Sequence, residues 1–251
     1  GCATHLMEVF SPPRFVPEAE RQGLVGAGSW DLRTGWDVFS RPDRARFWRA
    51  LARDKPMLVT LGPECRAFSS LMRVNWDKMD ADKAERLKRD GLEMLTFAVM
   101  VAAAQARGGR YFLFEHPFFA TSWLTNVLRY AEGLPGAQRI RADMCALGLS
   151  VHPDGLSFKP TGFLTNLGLL AERLAQFRCS RDHRHVTLEG GLPRKAQQYP
   201  RRLIVEVIWS LLASLGASPV EAPQDETLDA DLGDWRAAFP AERVGGDDAS
   251  D

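Results

Sequence analysis

The spacing of apolar and polar residues changes several times along the chain, and each change predicts an element. Leu6-Met-Glu-Val-Phe-Ser11 reads as a short strand stopped by Pro12-Pro13. A helix from Pro17 to Gln22 follows, opened by proline and closed by Gly23, then a strand from Val25 to Trp30. Pro42 to Arg53 predicts a helix with Phe47, Trp48 and Leu51 on one face, and Met57 to Leu61 is apolar enough for a buried parallel strand. Asp80 stands as a helix cap, and Leu87, Leu92, Leu95, Val99 and Ala102 carry a helical period to about Ala106, before Gly108-Gly109. A strand over 111–115, a helix over 122–132 and strands over 138–143 and 162–166 come next. Pro200 opens a last helix whose Leu203, Ile204, Val207, Ile208, Leu211, Leu212 and Leu215 follow the 3.6 period up to Gly216.

Strands that alternate with helices predict an α/β fold with a mostly parallel central sheet and helices on both faces. Sites in such sheets lie beyond the carboxyl ends of the strands. Ser11, Asp31, Cys65 and Glu115 all fall at such ends. The domain reading is one unit over residues 1–220, with a short basic insert at about 167–198, and an acidic, largely irregular tail over 221–251.

Charge sharpens that division. The formal net charge is zero, but residues 221–251 hold ten acids against Arg236 and Arg243, leaving −8 there and +8 on residues 1–220. The positive body reads either as a face for a phosphate backbone or as an ordinary solvated surface. Apolar content of 45 % is that of a globular protein, and no apolar run approaches the ~20 residues of a membrane helix. Four cysteines make no disulfide framework, and the chain opens on no leader-like segment. The expectation is an intracellular protein, of cytoplasm or nucleus, with no membrane partner.

The residues that carry chemistry are a thiol and a carboxylate at two strand ends. Cys65 follows the apolar run Met57–Leu61 and the turn Gly62-Pro63; Glu115 ends Tyr111-Phe-Leu-Phe. Such a pair suits attack on a pyrimidine. A thiolate adding to carbon six makes carbon five nucleophilic, and protonation of ring nitrogen three eases the addition. A thiol at a turn leading into a helix tends toward a lowered pKa. Each residue also has a plain reading: Cys65 as an inert buried cysteine, Glu115 as a strand-end carboxylate bonded to a neighbouring loop. Phe118-Phe119 reads first as core, and second as the lining of a base pocket.

The order of these segments resembles that of the cytosine-5 methyltransferases, which use S-adenosylmethionine. Met7 to Phe15 stands where that family has its cofactor-binding strand and glycine-rich loop. Ser29-Trp-Asp31 is similar to its acidic strand end, and Gly35-Trp-Asp-Val38 to the segment whose acid contacts the adenine. Gly62 to Ser69 resembles the loop of the nucleophile, Phe114-Glu-His116 the segment of the catalytic acid, and Ala142 to Gly148 a later strand of the family. Lys159 to Leu164 follows at the place of its arginine-rich motif. A closer likeness, through Glu8–Arg14, Phe114–Pro117, Lys159–Asn166 and His183–Gly191, is to methyltransferase-like domains of retroelement and metagenomic proteins.

The resemblance implies a Rossmann-like S-adenosylmethionine methyltransferase fold and methyl transfer to carbon five of cytosine in nucleic acid, DNA before RNA. Cys65, Glu115 and Lys159 become catalytic candidates. Phe10, Ser11, Asp31, Leu32, Asp37, Val38 and Gly62 become candidates to hold the methyl donor. Three departures stand out: Pro12-Pro13 replaces glycines, Glu64 sits beside the nucleophile, and Gly162 stands where the family places an arginine. A degenerate fold kept for binding nucleic acid, and methylation of a free pyrimidine nucleotide, are the alternatives.

Candidate contacts to duplex DNA, single-stranded DNA or RNA are Arg66 and Ser69 beside the cysteine, and Arg178, Arg181, Arg184, Arg194 and Lys195 in the insert. Arg66 also reads as a helix cap. Cys179, His183 and His185 lie within seven residues, and Cys145 at a strand end supplies a fourth ligand for structural zinc. The alternative is a basic loop with exposed histidines over a buried Cys145.

Overall fold

The computed structural model describes residues 4–69, 72–188 and 192–217, apart from the side chains at positions 73, 74, 193 and 194. Its sheet is built outward from β1 (Leu6–Val9), which pairs in parallel with β2 (Gly26–Trp30) on one side and β3 (Leu58–Leu61) on the other. β3 pairs in parallel with β4 (Tyr111–Pro117). β5 (Gln138–Asp143) forms the far edge, and β7 (Pro160–Thr165) runs antiparallel between β4 and β5. The order is therefore β2-β1-β3-β4-β7-β5, an α/β architecture with a mostly parallel six-stranded sheet. β6 (Leu156–Ser157) and β8 (His185–Val186) form a separate parallel pair.

The helices are α1 (Phe15–Arg21), α2 (Arg41–Asp54), α3 (Met72–Asn75), α4 (Ala81–Arg107), α5 (Asn126–Glu132), α6 (Gly168–Ala175), α7 (Leu192–Lys195) and α8 (Arg201–Ser214). Every residue of β1 and β3 is buried, because apolar layers cover both faces of the sheet. One layer joins Val59, Phe112 and Phe114 to Phe47 of α2, Phe97 of α4 and Leu128 of α5. The other joins Leu58, Leu113 and Phe163 to Phe15 of α1, Leu170 of α6 and Val207 of α8. Caps set the helix starts: Ser40 accepts from the Asp43 N–H at 3.4 Å, and Asp80 from the Lys83 N–H at 3.0 Å.

Most predicted elements fall within a few residues of their place. Three differ. The helix expected over 122–132 is a 3₁₀ turn, Thr121–Leu124, followed by α5, because Thr125 caps a fresh start through the Leu128 N–H. The basic insert is less of an insert than its charge implies: α6 buries Leu170, Ala171 and Leu174 in the core. Leu92, counted in the apolar stripe of α4, is 43 % exposed. No helix among the described residues is long and apolar enough to cross a membrane. The chain divides into a unit over Gly1–Val220 and a second over Glu221–Asp251; that second unit, with the predicted acidic tail, lies outside the described residues.

Candidate active site

β1 sends its connection to β2 on one side, while the next strand, β3, lies on the other. The loops after β1 and β3 therefore part, and a crevice opens between them, as at other switch points of open α/β sheets. A cavity of about 470 Å³ occupies that crevice, within the range of small-molecule sites. All three catalytic candidates, Cys65, Glu115 and Lys159, line it. So do all seven donor-binding candidates: Phe10, Ser11, Asp31, Leu32, Asp37, Val38 and Gly62.

The loop after β1 keeps its path without glycine. Glu8 is fully buried, and its Oε1 accepts the N–H groups of Arg14 at 2.9 Å and Val16 at 2.6 Å, with the Ser29 hydroxyl at 3.3 Å. The carboxylate thus takes up the first donors of α1, which Arg14 does not cap with its own side chain. Phe10 turns the chain with φ of 61°, a left-handed conformation that a bulky residue rarely adopts. Its ring is held edge-on to Trp36 and Phe97. Pro12-Pro13 therefore sits in a loop fixed by a buried carboxylate and a pinned aromatic ring.

Burial pushes the Glu8 carboxyl from 4.5 up to about 7, against the two backbone hydrogen bonds that favour its charge. The unfolded chain loses this proton near 4.5 and the folded chain near 7, so this group's contribution to stability falls as pH rises between them. Its full size is on the order of 3 kcal/mol. Glu8→Gln keeps an acceptor for Arg14 and Val16 and removes the titration. Urea unfolding at pH 5 and pH 8 is expected to show this loss in the parent and not in Glu8→Gln. An equal pH dependence in both would count against a titrating Glu8.

Cys65 lies at the turn after β3, before a 3₁₀ turn over Arg66–Phe68. The lowered pKa expected there is not found. Burial pushes the Cys65 thiol up to about 11, Glu115 adds to the rise, Lys159 opposes it, and Glu64 adds a smaller push. A three-residue turn brings too little dipole to offset burial beside two carboxylates.

Glu115 is held from two sides. The Tyr199 hydroxyl donates to its Oε2 at 3.3 Å, and the Lys159 ammonium lies 3.7 Å from its Oε1, which is buried and accepts no hydrogen bond among the described residues. Lys159 also donates to the Ala196 carbonyl at 3.3 Å. Gly62 lets Tyr199 approach, since a Cβ there would stand 2.6 Å from its hydroxyl. The next residue, His116, is fully buried on the opposite face of β4; its Nδ1 meets the Ser122 hydroxyl at 2.7 Å and its ring lies against the backbone of Pro63 and Glu64. Burial pushes it down to about 3, so it supports the cysteine loop as a neutral ring. At Gly162 a Cβ would meet the Trp123 ring at 2.7 Å, which excludes an arginine; Lys159 is the cation that reaches Glu115.

At the end of β2, Asp31 caps a 3₁₀ turn through the Arg33 N–H at 2.9 Å, and Leu32 is 73 % exposed on the rim. Asp37 accepts from the Phe39 N–H, and Val38 forms a buried wall. Arg66, Arg181, Arg184 and Lys195 are exposed, Ser69 is half-buried, and Arg178 lies 3.6 Å from Asp143. The Arg194 side chain lies outside the described residues. Arg173 of the insert is committed to Glu206 at 2.7 Å and to the Trp209 ring, so it belongs to the fold rather than to a phosphate contact. Phe119 is not core, as its residue type implied: it is 65 % exposed, with the Arg141 guanidinium 5.7 Å from its ring. Cys145, Cys179, His183 and His185 converge, with one ligand atom from each within 4.8 Å of the others.

Sequence reading missed Glu8, Arg14, His116, Gln197 and Tyr199. A lone acid inside an apolar strand marks Glu8, and a tyrosine before a helix-opening proline marks Tyr199; neither pattern reveals which cavity receives it. No family model, curated protein or solved structure matches this chain.

Proposed function

We propose that this chain transfers a methyl group from S-adenosylmethionine to carbon five of a cytosine in nucleic acid, within a Rossmann-like methyltransferase fold. The observation that carries this reading is the convergence of Cys65, Glu115 and Lys159 on one cavity, at the switch point, together with every residue expected to hold the donor. The cavity fits that donor in chemistry: Asp31 at the end of β2 offers a carboxylate to a ribose diol, Leu32 and Val38 offer apolar contact to an adenine, and Asp37 lies beside them. The donor supplies an electrophilic methyl group on a sulfonium.

The chain's own residues do the rest. Cys65 Sγ forms a bond to carbon six, the displaced electron pair moves into the ring, and Glu115 delivers a proton to ring nitrogen three. Lys159 offsets the charge of Glu115 as that proton leaves. Once carbon five has taken the methyl group, its proton passes to water, the Sγ–carbon six bond breaks to release the thiolate, and ring nitrogen three returns its proton to Glu115. Cys65 begins as a thiol beside a carboxylate, so one proton passed from sulfur to Glu115 gives both the nucleophile and the acid. Phe119 beside Arg141 offers a stacking surface for a neighbouring base. A target within a duplex has to be flipped out of the stack to reach Cys65.

A second reading has its own support. The Cys65 thiol pushed up to about 11 suits a fold without chemistry, and the exposed Arg66, Arg181, Arg184 and Lys195 suit one that binds nucleic acid. Incubation of the chain with tritiated donor and duplex DNA, single-stranded DNA, RNA or free nucleotides separates the two. The expected result is label on a polymer. Label on nucleotides alone moves the substrate class. No label anywhere, with salt-sensitive binding that survives Cys65→Ala, overturns the enzyme.

A further inference from the structure

The Cys179–His185 loop and Cys145 converge away from the cavity, and none of Cys145, Cys179, His183 and His185 lines it. Cys179 Sγ stands 3.7 Å from His183 Nε2 and 3.4 Å from His185 Nε2, and the two Nε2 atoms are 2.9 Å apart. Around a tetrahedral zinc ion, with bonds of about 2.3 Å to sulfur and about 2.0 Å to nitrogen, ligand atoms sit roughly 3.3 to 3.8 Å from one another. The two sulfur–nitrogen separations fall in that range, and the nitrogen–nitrogen separation is shorter than it.

Two features favour an ion over a hydrogen-bonded cluster. His183 Nδ1 meets Asp182 Oδ1 at 2.9 Å, which places the ring proton there and leaves the Nε2 lone pair facing the cluster. The backbone also places the ligands independently of any ion. Asp143 donates its N–H to the Phe177 carbonyl at 2.7 Å and accepts the Cys179 N–H at 3.0 Å; Leu156 pairs with His185 across β6 and β8.

We infer that Cys145, Cys179, His183 and His185 hold one zinc ion in a closed tetrahedral site, and that this ion fixes the ground on which Lys159 stands. Two thiolates with two neutral imidazoles suit zinc rather than calcium or magnesium, and four protein ligands leave no open position, so the role is structural. Binding releases the two thiol protons to solvent. The link to the cavity is short. Cys145 follows Met144, whose N–H donates to the Lys159 carbonyl at 3.1 Å, and Asp143 pairs with Pro160. The ion thus ties the loop to the turn after β5, which holds the start of β7 and the lysine facing Glu115. This consequence for Lys159 rests on the methyl-transfer reading; the presence of zinc does not.

The test is metal content of the full chain, purified free of any histidine tag, by inductively coupled plasma mass spectrometry. About one zinc per chain is expected; Cys179→Ser and His185→Ala should each lower it at least tenfold, and Cys65→Ala should leave it unchanged. Chain produced in cobalt-supplemented medium should show the visible bands of tetrahedral cobalt with thiolate-to-cobalt charge transfer. Should a ligand variant fail to fold, this spectrum of the unsubstituted chain decides alone. No zinc together with no thiolate–cobalt band, or equal zinc in parent and both folded ligand variants, overturns the inference. Neither measurement involves the methyl donor, so a failed transfer assay leaves this test standing.

Discussion

Cys65→Ala is expected to lose methyl transfer by at least roughly 10⁴-fold, the scale seen when the nucleophile of a covalent mechanism is removed. Donor binding should survive, because the walls offered to the donor, Gly62 apart, come from the loops after β1 and β2, and the smaller side chain only widens the cavity. The measurements are label transfer and the rise in melting temperature with donor. Nucleic acid carrying 5-fluorocytosine gives a sharper version. Fluorine on carbon five does not leave as a cation, so the Sγ–carbon six bond persists and the complex resists denaturant. That complex should form with the parent chain and not with Cys65→Ala. Transfer by Cys65→Ala within tenfold of the parent would remove the thiol from the mechanism.

Such a substitution could be chosen from sequence because the strand ends were legible there. Met57–Leu61 and Tyr111–Phe114 are apolar runs of strand length, each closed by residues that do not belong in a buried strand, and that contrast placed Cys65 and Glu115 at the carboxyl ends. Convergence on one cavity then follows from parallel pairing of β3 with β4, which carries both ends to the same edge. The direction of the Cys65 pKa was not legible, because burial and a facing carboxylate come from tertiary packing. Gly162 read as a gap in a motif, whereas Trp123 fills that face and the cation arrives from Lys159 instead. Alternation along β7 puts Thr161 and Phe163 on the face opposite Gly162, Phe163 pairs with Glu115, and Lys159 stands just before the strand. The convergent Cys179, His183 and His185 were legible as a set, since a thiol and two imidazoles crowd a short stretch, with Cys145 at a separate strand end. The β6–β8 ladder that orients His185 was not, because two-residue strands carry no period.

Glu115→Gln should move two observables in opposite directions. Glutamine keeps an acceptor for the Tyr199 hydroxyl but has no carboxyl proton to give to the pyrimidine, so transfer should fall about 10²- to 10⁴-fold. The thiol should become easier to ionise. Burial is the larger cause of its rise to about 11, and that remains; the Glu115 charge is the next cause, and that is gone. The pH midpoint of Cys65 alkylation by iodoacetamide should therefore move down toward the ordinary 9, with the plateau rate at high pH unchanged. A loosened fold would instead raise alkylation at every pH. Lys159→Ala supplies the opposite sign: the ammonium lowers the thiol pKa, so its removal should move the midpoint up. Midpoints that stay fixed, or that move the same way in both variants, would mean that Cys65 does not feel the Glu115–Lys159 pair. The one-proton exchange between sulfur and carboxylate would then have no basis.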